Sequence, residues 1–260
     1  MCDNNYKEGI IKPTKENYEE YLRIDGEEER YVAMLDIMGF KHMVETMPSN
    51  DIYELLCNAD AIKQVLEKNT GPLWISVFSD TIIIVTKGVE ERRDLFSLIL
   101  SSAMIQRKFF DNGYALNGGI SRGKVTVDKE RNIIFGQPVI DAHLLQEKIF
   151  YYGIAFDKKL NNTFDSLNFE DIVPSVKCPI VKECIPVKTG NKFFRKTKWE
   201  EHYHLSIRNL WTLAKLKDWF TMKPIDVDSS IKNCFSEIEN YCNNRKSKKY
   251  LEHTKKILKI

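Results

Sequence analysis

The sequence predicts an α+β fold with helices packed on one face of a largely antiparallel sheet. Two observations carry this prediction. Short apolar runs follow one another in pairs, as in hairpins, and segments with apolar residues three or four positions apart lie between them. With 260 residues, of which 43% are hydrophobic and 29% charged, the chain is long enough to bury a sizeable core and lacks the composition of a disordered protein.

An acidic lead-in precedes the first predicted strand. Residues 1–28 predict a solvated N-terminal arm, because acidic side chains are frequent there. The apolar run 31–35 predicts a strand that stops at Asp36, and Gly39 permits a tight turn into a short helix. The apolar stripe of residues 51–67 predicts an amphipathic helix.

A hairpin and a long helix are predicted next. Two apolar runs, 73–78 and 81–86, are separated only by Ser79 and Asp80, which is typical of a tight hairpin with Asp80 at its tip. Residues 90–112 then predict a long helix with one buried face.

A second group of strands follows that helix. Residues 114–120 and 124–127 predict a pair of strands, and residues 133–135 predict a short one. Residues 138–149 predict a helix with Pro138 in its first turn. Strands and helices in this order suit an α+β sandwich.

The pattern weakens beyond residue 150. We place a boundary near residue 163, between a core over 29–162 and a C-terminal α/β extension over 163–260. The expected elements of the extension are short strands around Val176 and Val187, a helix over 206–220 and a basic terminal helix over 228–258.

Charge and cysteine usage narrow the classes of function. The chain has 39 Lys and Arg against 37 Asp and Glu, a net charge of +2 that favours neither nucleic acid nor membranes as partners. The six cysteines form no C-x-x-C pair, which predicts reduced thiols in a cytoplasmic protein. His202 and His204 are weak candidates for metal ligands, because no further ligand pattern completes a site.

Asp36 and Asp80 stand out because each comes directly after an apolar strand. Two carboxylates at neighbouring strand ends repel each other unless a divalent cation lies between them. Mg²⁺ takes one or two protein carboxylates and completes its shell with water and substrate phosphates. The pattern is therefore the minimum for a magnesium site, whereas the alternative, in which each Asp only caps a turn, stays open on pattern alone.

Four motifs resemble those of class III nucleotidyl cyclases in order and spacing, over about residues 29–150. They are Asp36-Ile37-x-Gly39-Phe40, Asp80 on its hairpin, Gly118-Gly119-Ile120-x-x-Gly123, and Phe135-Gly136-x-x-Val139-x-x-Ala142. The resemblance implies a ferredoxin-like catalytic core and a homodimer with the active site at its interface.

The resemblance also implies a reaction and a set of ligands. Two Mg²⁺ or Mn²⁺ ions, held by Asp36, Asp80 and the Ile37 carbonyl, would activate the ribose 3′-hydroxyl of a nucleoside triphosphate. Its attack on the α-phosphate releases pyrophosphate and forms a 3′,5′-cyclic nucleotide. The residues that would bind the phosphates are Met38, Gly39, Phe40 and Lys41 through the backbone, and Arg122 and Lys124 through their charges.

Ser76 and Ile133 bear on the substrate. They stand where purine-specific members carry a polar or charged pair that reads the base, and neither can reproduce that readout. The sequence resembles the bacterial pyrimidine cyclases of antiphage defence, which implies UTP or CTP as substrate, with UTP ranked ahead of CTP. It also implies a separate effector that senses the cyclic nucleotide.

A second departure concerns the transition state. Ile140 and Leu144 stand where the class usually has an Asn and an Arg, so the missing positive charge would come from Arg122, Lys124 or Lys148. A purine cyclase of the same fold and a non-catalytic nucleotide-binding regulator stay open as alternatives. We expect no stable binding to nucleic acid or membranes.

Overall fold

The computed structural model describes residues 28–69, 73–88, 91–129, 131–166, 179–190, 196–206, 208–209, 227–242 and 245–259. The strands in these ranges are β1 Glu28–Ile37, β2 Leu73–Phe78, β3 Thr81–Thr86, β4 Leu116–Asp128, β5 Ile133–Gly136, β6 Ile154–Phe156, β7 Ile180–Thr189 and β8 Lys196–Leu205. The helices are α1 Phe40–Thr46, α2 Ser49–Asn69, α3 Glu91–Asp111, α4 Gln137–Lys148, α5 Asn161–Asp165, α6 Val227–Tyr241 and α7 Arg245–Leu258.

The strands form one sheet in the order β2-β3-β1-β4-β6-β8-β7, with β5 paired to β4. Within the described residues only the β4–β6 pairing is parallel. The predicted α+β fold with a largely antiparallel sheet and a C-terminal α/β extension is therefore confirmed. The extension is continuous with the sheet, because β8 pairs with β6 through Ala155 and His204. The boundary near residue 163 stays a prediction.

Two predicted elements are wrong in detail. The strands predicted over 114–120 and 124–127 are one strand, β4, because β1 pairs with it without interruption and overrides the turn signal between them. The helix predicted over 228–258 is two helices. The first, α6, ends in a 3₁₀-type turn, in which the Cys242 N–H donates to the carbonyl of Glu239, three residues earlier, at 3.1 Å.

Several predictions fall outside the described residues. They are almost all of the N-terminal arm over 1–28, the strand around Val176 and most of the helix over 206–220.

The register of β1 gives the sheet two different faces. Ala33, Leu35 and Ile37 point into the main core. Residues directly opposite one another share a face, so Gly119, opposite Met34, lies on the other side with α4. A Cβ on Gly119 would come within 2.2 Å of the Ala142 carbonyl oxygen of α4.

Helices therefore cover both faces, not one as predicted from the sequence. The absence of a side chain at Gly119 lets α4 lie directly on the sheet backbone.

The last helix, α7, packs against the segment that precedes β6. The Tyr152 N–H donates to Thr254 Oγ1 at 2.8 Å, and the Tyr152 hydroxyl donates to the Ser247 carbonyl at 3.1 Å. Tyr250 and Leu251 are buried in the main core. The start of α7 lies beside the loop that follows β1, because Lys246 and Ser247 line one cavity with Met38 and Gly39.

Candidate active site

Asp36 and Asp80 are brought together at one end of the sheet. Asp36 lies next to last in β1, opposite Thr81, the first residue of β3. The Ile37 N–H donates to the Asp80 carbonyl at 2.8 Å, which fixes the β2–β3 turn against the end of β1. Ser79 has a left-handed φ of 57°, as two-residue hairpin loops require, so Asp80 stands at the tip as predicted.

The two carboxylates influence each other. Burial, followed by the negative charge of Asp80, raises the pKa of Asp36 from 3.8 to about 6, while the positive charges of Lys246 and Lys188 oppose this rise. A partly buried carboxylate facing a like charge is unfavourable without a cation. The pair is thus suited to a divalent metal ion, with the Ile37 backbone next to it.

A cavity of about 490 Å³ contains Asp36 and is here called the Asp36 cavity. Its polar lining comes from β1, β4, α4, β7 and α7, so the C-terminal extension forms one wall of it. The polar residues that matter below are Asp36, Asn117, His143, Lys148, Lys188 and Lys246.

The floor of this region is the face of the sheet that carries α4. Asn117, Asp36, Thr81 and Phe78 stand side by side on four neighbouring strands. Phe78 is 78% exposed, so this end of the face is open to solvent. A planar ligand next to the aspartates would meet an apolar aromatic surface there.

The turn after Asp36 carries Met38, Gly39, Phe40 and Lys41, and their binding of phosphates stays a prediction. Gly39 has a φ of +83°, which leads the chain into α1. The Met38 N–H already donates to the Ala115 carbonyl at 2.9 Å. Lys41 is exposed and lies 3.7 Å from Glu45 in an ion pair along α1.

Arg122 and Lys124 are not brought to the aspartates of the same chain. Arg122 lies opposite Tyr31, five residues from Asp36 along β1, which corresponds to about 17 Å. Its Nε lies 3.4 Å from Glu29 Oε2, and its guanidinium stands over the Tyr31 ring.

Ser76 and Ile133, by contrast, are brought close together. Ser76 Oγ donates to Asn132 Oδ1 at 3.2 Å, and Asn132 directly precedes Ile133. Ser76 lies on the same side of β2 as Phe78, two residues further on. The two residues predicted to contact the base therefore do lie in one region of the surface.

Ile140 and Leu144 are one helical turn apart on α4, and their exposed fractions are 52% and 55%. Leu144 lines the Asp36 cavity. Neither side chain can neutralise a phosphate, so the helix presents an apolar surface where the resemblance called for polar groups.

No sequence pattern predicted that Lys188 and Lys246 belong to this site. Both belong to basic segments of the extension. The pairing of β8 with β6, the contact of β7 with the end of α4 and the docking of α7 bring them to Asp36. The sequence shows that these segments are basic, but the location of the two lysines in the fold depends on contacts between distant parts of the chain.

His202 and His204 are buried side chains of β8. His202 Nε2 lies 3.5 Å from Glu200, and His204 Nε2 lies 3.7 Å from Glu183. No group of three or more His, Cys, Asp or Glu residues in the described part of the chain forms a metal cluster.

None of the helices within the described ranges is long and apolar enough to cross a membrane. The four cysteines described there, Cys57, Cys184, Cys234 and Cys242, are free thiols.

No protein-family model matches the chain, and no curated protein matches it. Solved structures are partly similar. The adenylyl cyclase CyaB from P. aeruginosa is 15% identical, with a TM-score of 0.48 over 68% of this chain and 93% of that one. The monomeric guanylyl cyclase domain of the RhoGC fusion protein from the aquatic fungus Blastocladiella emersonii is 15% identical, with a TM-score of 0.48 over 69% and 95% of the two chains.

The guanylate cyclase domain of RhGC from Catenaria anguillulae, in complex with GTP, is 16% identical, with a TM-score of 0.45 over 69% and 96% of the two chains. TM-scores below 0.5 describe a general likeness in shape and say nothing of the chemistry of this chain.

Proposed function

We propose that the protein is a nucleotidyl cyclase, which converts a nucleoside triphosphate into its 3′,5′-cyclic monophosphate and pyrophosphate. The observation that carries this proposal is the pair Asp36 and Asp80, which share one end of the sheet beside a cavity lined by lysines. The four sequence motifs that resemble class III nucleotidyl cyclases support the same reaction.

The donor set fits a divalent metal ion. Asp36, Asp80 and the Ile37 carbonyl are hard oxygen ligands, which Mg²⁺ and Mn²⁺ prefer. Such ions, two to a site, would lower the pKa of the ribose 3′-hydroxyl and offset the charge that develops on the phosphates. The repulsion between the Asp36 and Asp80 carboxylates favours the binding of such metal ions.

We further propose a homodimer with composite sites. Arg122 and Lys124 point to it, because they lie about 17 Å or more from the aspartates of their own chain and reach a triphosphate only across an interface. Exposed apolar side chains on α4 and β5 are the surface that a second copy would cover.

The substrate we propose is a pyrimidine nucleotide, with UTP ranked ahead of CTP. Ser76 and Ile133 support this, since one small hydroxyl and one apolar side chain provide no set of donors and acceptors to read a purine. The proposed role is a cytoplasmic second-messenger enzyme of antiphage defence, whose cyclic product is sensed by a separate effector.

The test is incubation of the purified protein with each of the four ribonucleoside triphosphates and Mn²⁺, followed by mass detection of cyclic products. We expect cyclic UMP, or cyclic CMP, and a loss of at least about 100-fold in rate for Asp36→Asn and Asp80→Asn. Asp51→Asn, an exposed carboxylate at the start of α2, is the matched control and should keep full activity.

Ile140 and Leu144 favour a second candidate, a nucleotide-binding regulator without catalysis. Their apolar side chains leave these two positions of α4 without a group that stabilises a transition state. Tight binding of a triphosphate without any cyclic product after long incubation would decide for this function. Cyclic product from purines alone would instead retain the reaction and reject the pyrimidine preference.

A further inference from the structure

Lys246 lies where two cavities meet. The Asp36 cavity contains Asp36 and Met38, and a second cavity of about 370 Å³ contains Met38, Gly39 and His42. Lys246 lines both of them. It belongs to α7, within the C-terminal extension, so a cation from the end of the chain faces the loop after β1.

The backbone next to Lys246 is firmly held. The buried Tyr152 donates its hydroxyl to the Ser247 carbonyl at 3.1 Å and its N–H to Thr254 Oγ1 at 2.8 Å. The Lys246 side chain itself is exposed. An anchored backbone with an exposed ammonium is the arrangement of a side chain that is available to a ligand.

Other cations near the site are already engaged. Lys148 Nζ lies 3.0 Å from Glu200 Oε2, and Lys188 donates to the Glu147 carbonyl. Lys246 lines the same cavity as Asp36, and its charge, like that of Lys188, opposes the rise in the pKa of Asp36.

We propose that Lys246 binds the polyphosphate of the nucleotide, from the same chain as Asp36 and Asp80. It would thereby hold the triphosphate beside Asp36, a role separate from the transition-state charge that α4 lacks at Ile140 and Leu144. A lysine ammonium is a compact charge with three donors, which suits phosphate oxygens. This inference rests on the proposed function for the identity of the ligand, and it makes the C-terminal extension part of the active site.

The experiment measures binding of inorganic tripolyphosphate with Mn²⁺ by calorimetry, so that no turnover is needed. We expect Lys246→Gln to weaken this binding about tenfold or more, and Lys246→Arg to retain most of it. Lys248→Gln is the matched control, because Lys248 is exposed on the same helix without lining either cavity, and should leave the affinity unchanged. With nucleotide, Lys246→Gln should raise KM about tenfold while kcat changes much less.

An unchanged tripolyphosphate affinity in Lys246→Gln, or no binding by the wild type, would overturn the inference. Faster turnover in Lys246→Gln would overturn it too, because the ammonium would then be occupying the place of a metal ion. The role of Lys246 and the proposed cyclase function can be rejected independently of each other. Lysine-dependent tripolyphosphate binding without any cyclic product retains the inference and rejects the cyclase, whereas cyclisation with an unaltered KM in Lys246→Gln does the reverse.

Discussion

At the scale of single residues, the candidate site depends on one partly buried carboxyl. Asp36 stands opposite Thr81 and Asn117, neither of which carries a positive charge. Burial and Asp80 raise its pKa to about 6, so its ionised form destabilises the metal-free fold at neutral pH. A bound cation would remove this cost, which couples metal affinity to folding stability.

Asp36→Asn should therefore stabilise the metal-free protein at pH 7, by about 1–3 kcal/mol, because the neutral amide neither repels Asp80 nor loses the hydration of a charge. The folded pKa lies above the ordinary value of 3.8, so the ionisation penalty sets in only as the pH rises above about 4. The gain should disappear near pH 3.

Urea unfolding of the metal-free protein at both pH values measures this difference. Asp51→Asn, exposed on α2, should show no such gain. Lower stability of Asp36→Asn at pH 7 would show that the carboxylate is instead stabilised by its surroundings.

At the scale of elements, α4 is the helix that links the sheet to the candidate site. It sits directly on β4, because Gly119 has no side chain to keep it away. Its Gln146 side chain also donates to Asn117 Oδ1 at 3.1 Å, next to Asp36 in the register. The position of α4 therefore decides where Leu144 meets the Asp36 cavity.

Gly119→Ala should destabilise the protein by about 3 kcal/mol or more, because the new Cβ would lie 2.2 Å from the Ala142 carbonyl oxygen and the helix would have to move. Gly88→Ala is the control, since the nearest atom there is a side-chain oxygen of Asp94 at 3.7 Å. Thermal unfolding of both variants measures the difference. Equal stability of the two would mean that α4 can shift at little cost.

Glu200 connects β8 to its neighbours through Lys148 and Lys158, and it also pairs with Lys198 of its own strand. Its carboxylate lies 3.0 Å from Lys148, 3.3 Å from Lys198 and 3.6 Å from Lys158. The hydrogen bond from Lys148, with the other positive charges, lowers the pKa of Glu200 from 4.5 to about 2. The ionised form is therefore the one that stabilises the junction of α4 with the extension.

Glu200→Gln should cost about 1–3 kcal/mol of stability at pH 7, because it removes charge-assisted hydrogen bonds. Because the pKa of Glu200 is lower in the folded protein than in the unfolded one, its ionised form stabilises the fold above about pH 4.5. This stabilisation is lost as the pH falls towards 2, so the variant and the wild type should then be equally stable. Denaturant unfolding across that pH range tests the prediction. A difference that is independent of pH would assign the loss to packing.

Short-range signals explain which elements could be predicted. The hairpin of β2 and β3 has the predicted bounds, because two turn residues between β-branched runs leave little choice of register. Asp36 and Asp80 could be identified as candidate site residues from the same short-range signals, since each follows an apolar run. The turn signal around Gly123 failed, because ten residues of β1 pair through it.

Lys246 could not be assigned a place from the sequence at all. Its position beside Asp36 depends on the docking of α7 through Thr254 and Tyr152, residues about a hundred positions apart in the chain. Sequence periodicity reports on single elements, so it cannot predict a contact between two segments that only the fold brings together.

At the scale of the whole molecule, the face that carries Asp36 is unusually apolar where it meets solvent. The exposed fraction is 78% for Phe78 on β2 and 52% for Ile140 on α4. Monomeric proteins rarely expose apolar patches beyond a few hundred Å². A second copy covering this face would remove these apolar side chains from water.

Ile140→Glu tests the dimer without altering the Asp36 cavity, because Ile140 does not line it. Burying an unpaired carboxylate at the centre of an interface should weaken the dimer about 30-fold or more. Sedimentation velocity over a range of concentrations measures this, and the specific activity should fall in parallel and recover as the protein concentration rises. Tyr53→Glu, 70% exposed on α2, is the matched control and should leave the dimer intact. A fully active wild-type monomer would contradict the composite site and require Arg122 and Lys124 to act elsewhere.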